Sequence, residues 1–217
     1  YAILYRGNYQ DRPFEKALRD HRIPYHLSGG TSFFSHTEVK DLMAYLRLLV
    51  NPDDDNAFLR IINTPRRGIG PSTLETLAQY AQERQLGLLA ASFEMGLTER
   101  LPAQTLEKLQ TFTAFMVRTG DNAMRGDTMG VLRDMLSAIQ YDIWLLDTCR
   151  DPKTAERRMG NVHELFDWIK RMLDAPPEDA VDLKEAVAKI MLIDMLDQKN
   201  DEDKGDRVQL MTLHAAK

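Results

Sequence analysis

"SHTEVKDLMAYLRLLVNPDDDNAFLRII", residues 35–62, is the stretch on which the reading of the fold turns. Ahead of it the apolar residues fall in short, strand-length runs. From here onward they recur every three to four positions, the period of a helix. Val39, Leu42, Met43, Leu46, Leu49 and Val50 share one stripe, the pattern of a helix packed against a core. Ser35 and Glu38 have capping-box spacing, which predicts that they open this helix by satisfying each other's backbone donors. Asn51-Pro52 ends it. Asp53, Asp54 and Asp55 suit the positive end of a following helix that buries Phe58, Ile61 and Ile62. Consecutive positions on a helix do not converge on one point, so these aspartates read as caps and not as a metal site.

Outward from that stretch the organisation is α/β at the two ends and helical between. "YAILYR" (1–6) reads as a strand, "PFEKALRDH" (13–21) as a helix with Phe14, Ala17 and Leu18 on one face, and "IPYHLSGG" (23–30) as a second strand. That β–α–β order predicts a parallel sheet with a right-handed crossover. Residues 71–199 read almost wholly as helix, with breaks at 120–127, 150–152 and 174–182, where Gly, Pro and Asp cluster. "NDEDKGD" (200–206) is a charged linker, and "RVQLMTLHAAK" (207–217) is strand-like again. The expected fold class is therefore mainly α, a helical insertion within a fragment of an α/β domain. The divisions fall at 1–30, 31–205 and 206–217, with Gly29, Gly30 and Gly205 placed to serve as hinges. A chain that opens inside one strand and stops just after another is expected to be a segment of a longer protein.

The composition is that of an ordinary globular chain: 217 residues, 43% hydrophobic, net charge −5. No apolar run approaches the ~20 residues a membrane helix needs, so no membrane partner is expected. One cysteine, Cys149, excludes an internal disulfide framework and fits a reducing compartment. The acidic balance argues against a surface coated in cations, but a local basic patch is still open.

Such a patch is offered by "NTPRRGIGPST" (63–73). Gly68 and Gly70 permit positive φ and close approach of a ligand to the backbone. Pro71 suits the first helical position, and Ser72 with Glu75 offers a second capping box. The N–H groups of the helix start, with Arg60, Arg66 and Arg67 near them, would make an anion site. Helix, Gly-hydrophobic-Gly turn and helix is the pattern of helix–hairpin–helix modules, which contact duplex backbone. The competing reading is a helix–helix corner with solvated arginines, and local physics leaves the two open.

Elsewhere the residues favour packing. The five histidines lack metal-ligand spacing, although His214 would stand at the carboxyl end of a strand, where open α/β sheets bind ligands. Phe33, Phe34, Tyr45, Trp144 and Trp168 read as core. There is no G-x-x-x-x-G-K-[ST], no dinucleotide fingerprint and no nucleophile elbow. No catalytic residue is therefore expected, and nothing here would split a nucleotide unaided.

Taken in order, "AILYRGNYQDRPFEKAL", "SGGTSFFSHTEVKDLMAYLRLLVNPDDDNAFLRIINTPRRGIGPSTLETL" and "VQLMTLHAAK" resemble consecutive blocks of the Rep/UvrD/PcrA group of superfamily 1 DNA helicases, the Rep branch above all. The resemblance implies that residues 1–30 and 206–217 are pieces of the RecA-like motor subdomain 2A and that 31–205 is the helical subdomain 2B. It implies a parent enzyme that is an ATP-dependent, 3′-to-5′ translocase needing Mg²⁺, with no cofactor bound by this fragment. "PRRGIGPST" matches the family's duplex-contacting turn, which implies that role for Arg66, Arg67, Gly68, Ile69, Gly70, Ser72 and Thr73. "TLHAAK" matches the start of a motor motif, implying that Thr212 and His214 line the single-strand path. "YRGNYQDR" matches another motor block, with Arg6, Asn8, Gln10 and Arg12 in place and no ligand assigned. The implied partners are duplex and 3′-tailed DNA, with replication or repair proteins or self-association besides, in the bacterial cytoplasm at the nucleoid. Two other readings are a regulatory protein-interaction module and a stand-alone helix–hairpin–helix domain.

Overall fold

The computed structural model describes residues 1–7, 10–21, 23–28, 33–176, 178–202 and 207–216, without the side chains of Arg12, Arg19, Asp20, Leu27, Ser28 and 196–202. The chain forms two compact units, residues 1–36 with 188–217, and residues 37–187. The sequence reading set its divisions at 30/31 and 205/206.

The first unit contains β1 (Ala2–Tyr5), α1 (Asp11–Asp20), β2 (Tyr25–Ser28) and β3 (Val208–Thr212). All pairings are parallel, as the β–α–β order implied, but the strand order is β1-β3-β2. The last strand therefore lies between the first two, with Leu210 opposite Ile3 on one side and Leu27 on the other. Leu210 is fully buried and packs with Tyr5 and Leu18. Of the helix face expected on α1, only Leu18 is buried, while Phe14 and Ala17 are exposed. The inner position is taken by Glu15, whose carboxylate accepts from the Tyr25 hydroxyl at 3.0 Å and the Phe33 N–H at 3.1 Å. A buried carboxylate is tolerated because its hydrogen bonds are made. Phe33 and Phe34 are core, edge to face at 5.4 Å.

The second unit is helical: α2 (Thr37–Val50), α3 (Asp55–Ile61), α4 (Pro71–Arg84), α5 (Leu88–Ala91), α6 (Ala103–Arg125), α7 (Thr128–Ala138), α8 (Tyr141–Thr148), α9 (Pro152–Leu173) and the first turn of α10 (Leu183–Glu202). The fold is thus mainly α with a small parallel sheet. Helix α2 is its centre, since burial reaches Ala44, Tyr45 and Leu48 as well as the expected stripe, of which only Val50 is left half-buried. A helix covered on nearly every side must also cover its polar groups. Glu38 therefore does not close a capping box with Ser35. It turns inward, accepts from the Asn161 amide and lies 3.7 Å from Arg158. Asp41, one turn on, pairs with Arg60 at 2.7 Å and accepts from the Tyr141 hydroxyl at 3.2 Å. Burial raises the Asp41 carboxyl above its ordinary range, with Arg60 opposing, and burial also raises Tyr141.

The aspartates after Pro52 do act as caps. Asp54 accepts from the Ala57 N–H at 3.0 Å to start α3, and Asp55 accepts from the Leu88 N–H at 2.7 Å to start α5. Asp151 does the same for α9 through Thr154 at 2.8 Å, with Pro152 behind it. The break expected across 120–127 is confined to its end, because α6 runs unbroken to Arg125. Gly120 is a crossing point and not punctuation: a Cβ there would stand 2.9 Å from the Leu49 carbonyl oxygen of α2. Only glycine lets the two backbones approach this closely.

Candidate nucleic-acid interface

The turn between α3 and α4 is assembled around two side chains. Asn63 reads the backbone of Ile69 on both sides: its amide donates to the Ile69 carbonyl, and its oxygen accepts from the Ile69 N–H at 3.2 Å. Ile69 itself is a buried plug, 2% exposed. Gly68, at φ 70°, supplies the left-handed residue the turn needs. The Thr64–Pro65 peptide is cis. Gly70 is extended and serves as the N-cap of α4, with Pro71 in the first turn. The second capping box is not used, since no side chain caps this helix. The N–H of exposed Ser72 is therefore left without a side-chain acceptor, at the positive end of the helix dipole. Thr73 is buried.

The two arginines that the sequence groups together part company. Arg67 points inward and spends its guanidinium on the protein. It donates to the carbonyls of Ile61 (2.8 Å), Ile62 (3.1 Å) and Pro65 (3.1 Å), and to the Tyr45 hydroxyl at 2.6 Å. Its charge lies over the Phe112 ring, 4.3 Å from the centroid. Burial raises the Tyr45 hydroxyl pKa, with Arg67 opposing, and that hydroxyl donates to the Thr64 carbonyl at 2.6 Å. Arg66 is exposed, and no ion pair among the described residues engages it. Arg60, read as a third member of the patch, is bound to Asp41 and to the Thr37 carbonyl.

Beside the turn, α6 and the α7–α8 corner enclose a groove of about 1280 Å³ that includes Arg66. Lys108, Arg118, Phe115 and Trp144 line it. Trp144 is partly exposed there and not core as its spacing suggested, whereas Trp168 is buried. The apolar spacing of α8 gave no sign of this, because packing alone decides which flank of a short helix is covered.

In the sheet unit, Tyr5 pairs with Thr212, and the Leu213 N–H donates to the Tyr5 carbonyl at 2.9 Å. Arg6, Thr212 and His214 therefore gather at one carboxyl-terminal sheet edge, a usual ligand position in open α/β sheets. Thr212 is half-buried, while Arg6 and His214 are exposed. Gln10 closes the loop after β1, its side-chain oxygen accepting from the Arg6 N–H at 3.0 Å and the Gly7 N–H at 3.1 Å. Asn8, the Arg12 side chain, Gly29, Gly30 and Gly205 lie outside the described residues. Among the described residues no group of three or more His, Cys, Asp or Glu is arranged to hold a metal ion. The sequence contains no G-x-x-x-x-G-K-[ST] phosphate-binding loop. No described helix is long and apolar enough to cross a membrane.

The family profile described as the UvrD-like helicase C-terminal domain matches residues 1–217. Over its whole length the chain is 49% identical to the ATP-dependent DNA helicase Rep of Salmonella typhimurium strain LT2, covering 32% of that protein. It is 48% identical to the ATP-dependent DNA helicase Rep of Escherichia coli K12, again covering 32%. It is 35% identical to the ATP-dependent DNA helicase PcrA of Bacillus subtilis strain 168, covering 29%. The chain thus spans about a third of the length of these curated relatives.

Proposed function

The chain belongs to the UvrD-like helicase C-terminal domain family, and from that premise we propose that it is part of an ATP-dependent DNA helicase whose helical unit grips duplex DNA. The observation that carries this reading is the outer face of the 65–73 turn. An unpaired Arg66, a left-handed Gly68 without a side chain, and the uncapped start of α4 lie within one turn of chain. Phosphate oxygens would take the Ser72 N–H and the Arg66 guanidinium together. Such contacts hold a duplex without reading its bases. Arg67, Asn63, Ile69 and buried Thr73 then serve as the frame of that grip. In the sheet unit, Thr212 and His214 would meet a single strand, with Arg6 at the same edge. ATP and Mg²⁺ would be held by parts of the longer protein, and that protein would work in DNA replication or repair.

Fluorescence anisotropy with a labelled DNA hairpin tests the grip. Each phosphate contact contributes about 0.9 to the slope of log affinity against log salt. Arg66→Ala is expected to weaken hairpin binding and flatten that slope by about this amount. Unchanged affinity and an unchanged slope would remove the turn from the DNA-binding surface.

A further inference from the structure

We propose that the groove between α6 and the α7–α8 corner binds an unpaired DNA strand leaving the duplex held at the turn; this rests on the duplex-grip reading. The first ground is charge. Four arginines elsewhere in the helical unit pair with acids: Arg47 with Asp54, Arg60 with Asp41, Arg100 with Glu83, Arg158 with Glu38. No such pair engages Arg66, Lys108 or Arg118, all of which line the groove. Without Arg67, whose guanidinium is spent inside the protein, three cations face two acids, Glu107 and Asp147, a local balance of +1 in a chain of net −5. Unmatched cations concentrated in a concave surface attract a polyanion.

The second ground is the presence of rings among those cations. Trp144 and Phe115 are partly exposed in the groove. The Trp144 ring lies 5.1 Å from that of Tyr141, which is fully buried and whose hydroxyl is tied to Asp41. No hydrogen bond among the described residues engages the indole N–H. Trp144, tilted 40° to the Tyr141 ring, thus keeps part of its indole exposed in the groove, an aromatic surface on which bases stack whatever their identity. Gln140 completes the rim in a left-handed conformation, φ 52°, that costs a residue with a side chain about 1 kcal/mol. At about 1280 Å³ the groove is larger than the roughly 300–1,000 Å³ of a small-molecule site. A run of nucleotides fits it better than a single small ligand. Arg66 belongs to both the turn and the groove, so a strand parting from the gripped duplex passes directly onto the ring-lined floor.

The test compares a blunt DNA hairpin with the same hairpin bearing a short oligothymidine tail, using the whole 217-residue chain. The tail is expected to tighten binding and to quench tryptophan fluorescence, since a stacked base contributes about 1–3 kcal/mol, or about fivefold or more in affinity. Trp144→Ala is expected to abolish the quench and at least fivefold of the tail's gain, with blunt-hairpin affinity unchanged. Arg118→Ala, at an exposed position of α6, is expected to lessen the gain as well and serves if Trp144→Ala does not fold. A tail that adds neither affinity nor quenching overturns the groove site while leaving the duplex grip intact. Failure of the blunt hairpin to respond to Arg66→Ala overturns the grip instead. Displacement of the tail by oligoglutamate as readily as by free oligothymidine would mark the groove as an acidic-peptide site and overturn the proposal too.

Discussion

Arg66 and Arg67 are adjacent in the chain, carry the same charge, and occupy opposite faces of one turn. On the inner face, Arg67 meets three carbonyls, a hydroxyl and an aromatic ring. On the outer face, Arg66 joins Lys108 and Arg118 at a groove where no described ion pair engages them. A guanidinium whose donors are used inside the protein stabilises the fold and has little left to offer a phosphate. One whose donors meet only water can exchange that water for a ligand. The same side chain is therefore cement on one face and a contact on the other, and the neighbouring acceptors decide which.

The inner face is broken most directly by Arg67→Ala, expected to lower stability by about 3 kcal/mol because several backbone carbonyls lose a charged donor. The urea midpoint checks this, and Arg67→Lys is expected to recover little of the loss, since an ammonium cannot reproduce the planar fork. A stable Arg67→Ala protein with lost DNA binding would move Arg67 to the outer face and undo the comparison. Asn63→Ala is expected to cost about 2 kcal/mol by the same measurement, through the two unmade bonds to Ile69. Gly120→Ala, away from the turn, is expected to cost about 1–3 kcal/mol by crowding Leu49, with no effect on the DNA salt slope. It separates a general loss of stability from a loss of the interface.

Arg66→Ala sharpens the other side. Its stability is expected to stay within about 0.5 kcal/mol of the parent chain in thermal unfolding while its salt slope flattens. The smallest effect concerns Asp41, whose buried carboxyl titrates above its ordinary value. The folded state then binds that proton more tightly than the unfolded chain. Its contribution to stability is fullest below the ordinary carboxyl value and fades as pH rises through the folded one. Asp41→Asn is expected to remove that decline from a plot of melting temperature against pH across the acidic range. An identical profile would show that Arg60 fully offsets the burial.

Much of this molecule is legible from local rules. The helical run after residue 35, Asp54 as a cap, Pro152 behind Asp151, and Gly68 in a left-handed turn all follow from periodicity and backbone chemistry within a few residues. The failures share one physical cause, which is that the deciding contact comes from far along the chain. Glu38 looked like half of a capping box but is drawn inward by Asn161 and Arg158. Gly120 looked like a break but is required by Leu49. Trp144 looked like core, but it is only partly buried and lines the groove beside α6.

By itself, then, the order of residues determined the class of the fold, the strand-length ends around a helical middle, the family resemblance and the position of the cationic glycine turn. These depend on short-range periodicity and on motifs that any conformation preserves. Only the tertiary structure placed β3 between β1 and β2, turned Arg67 inward and Arg66 outward, and set Trp144 beside the unpaired cations. Each of those outcomes depends on which distant acceptor or packing surface reaches a side chain, and neither spacing nor composition encodes that locally.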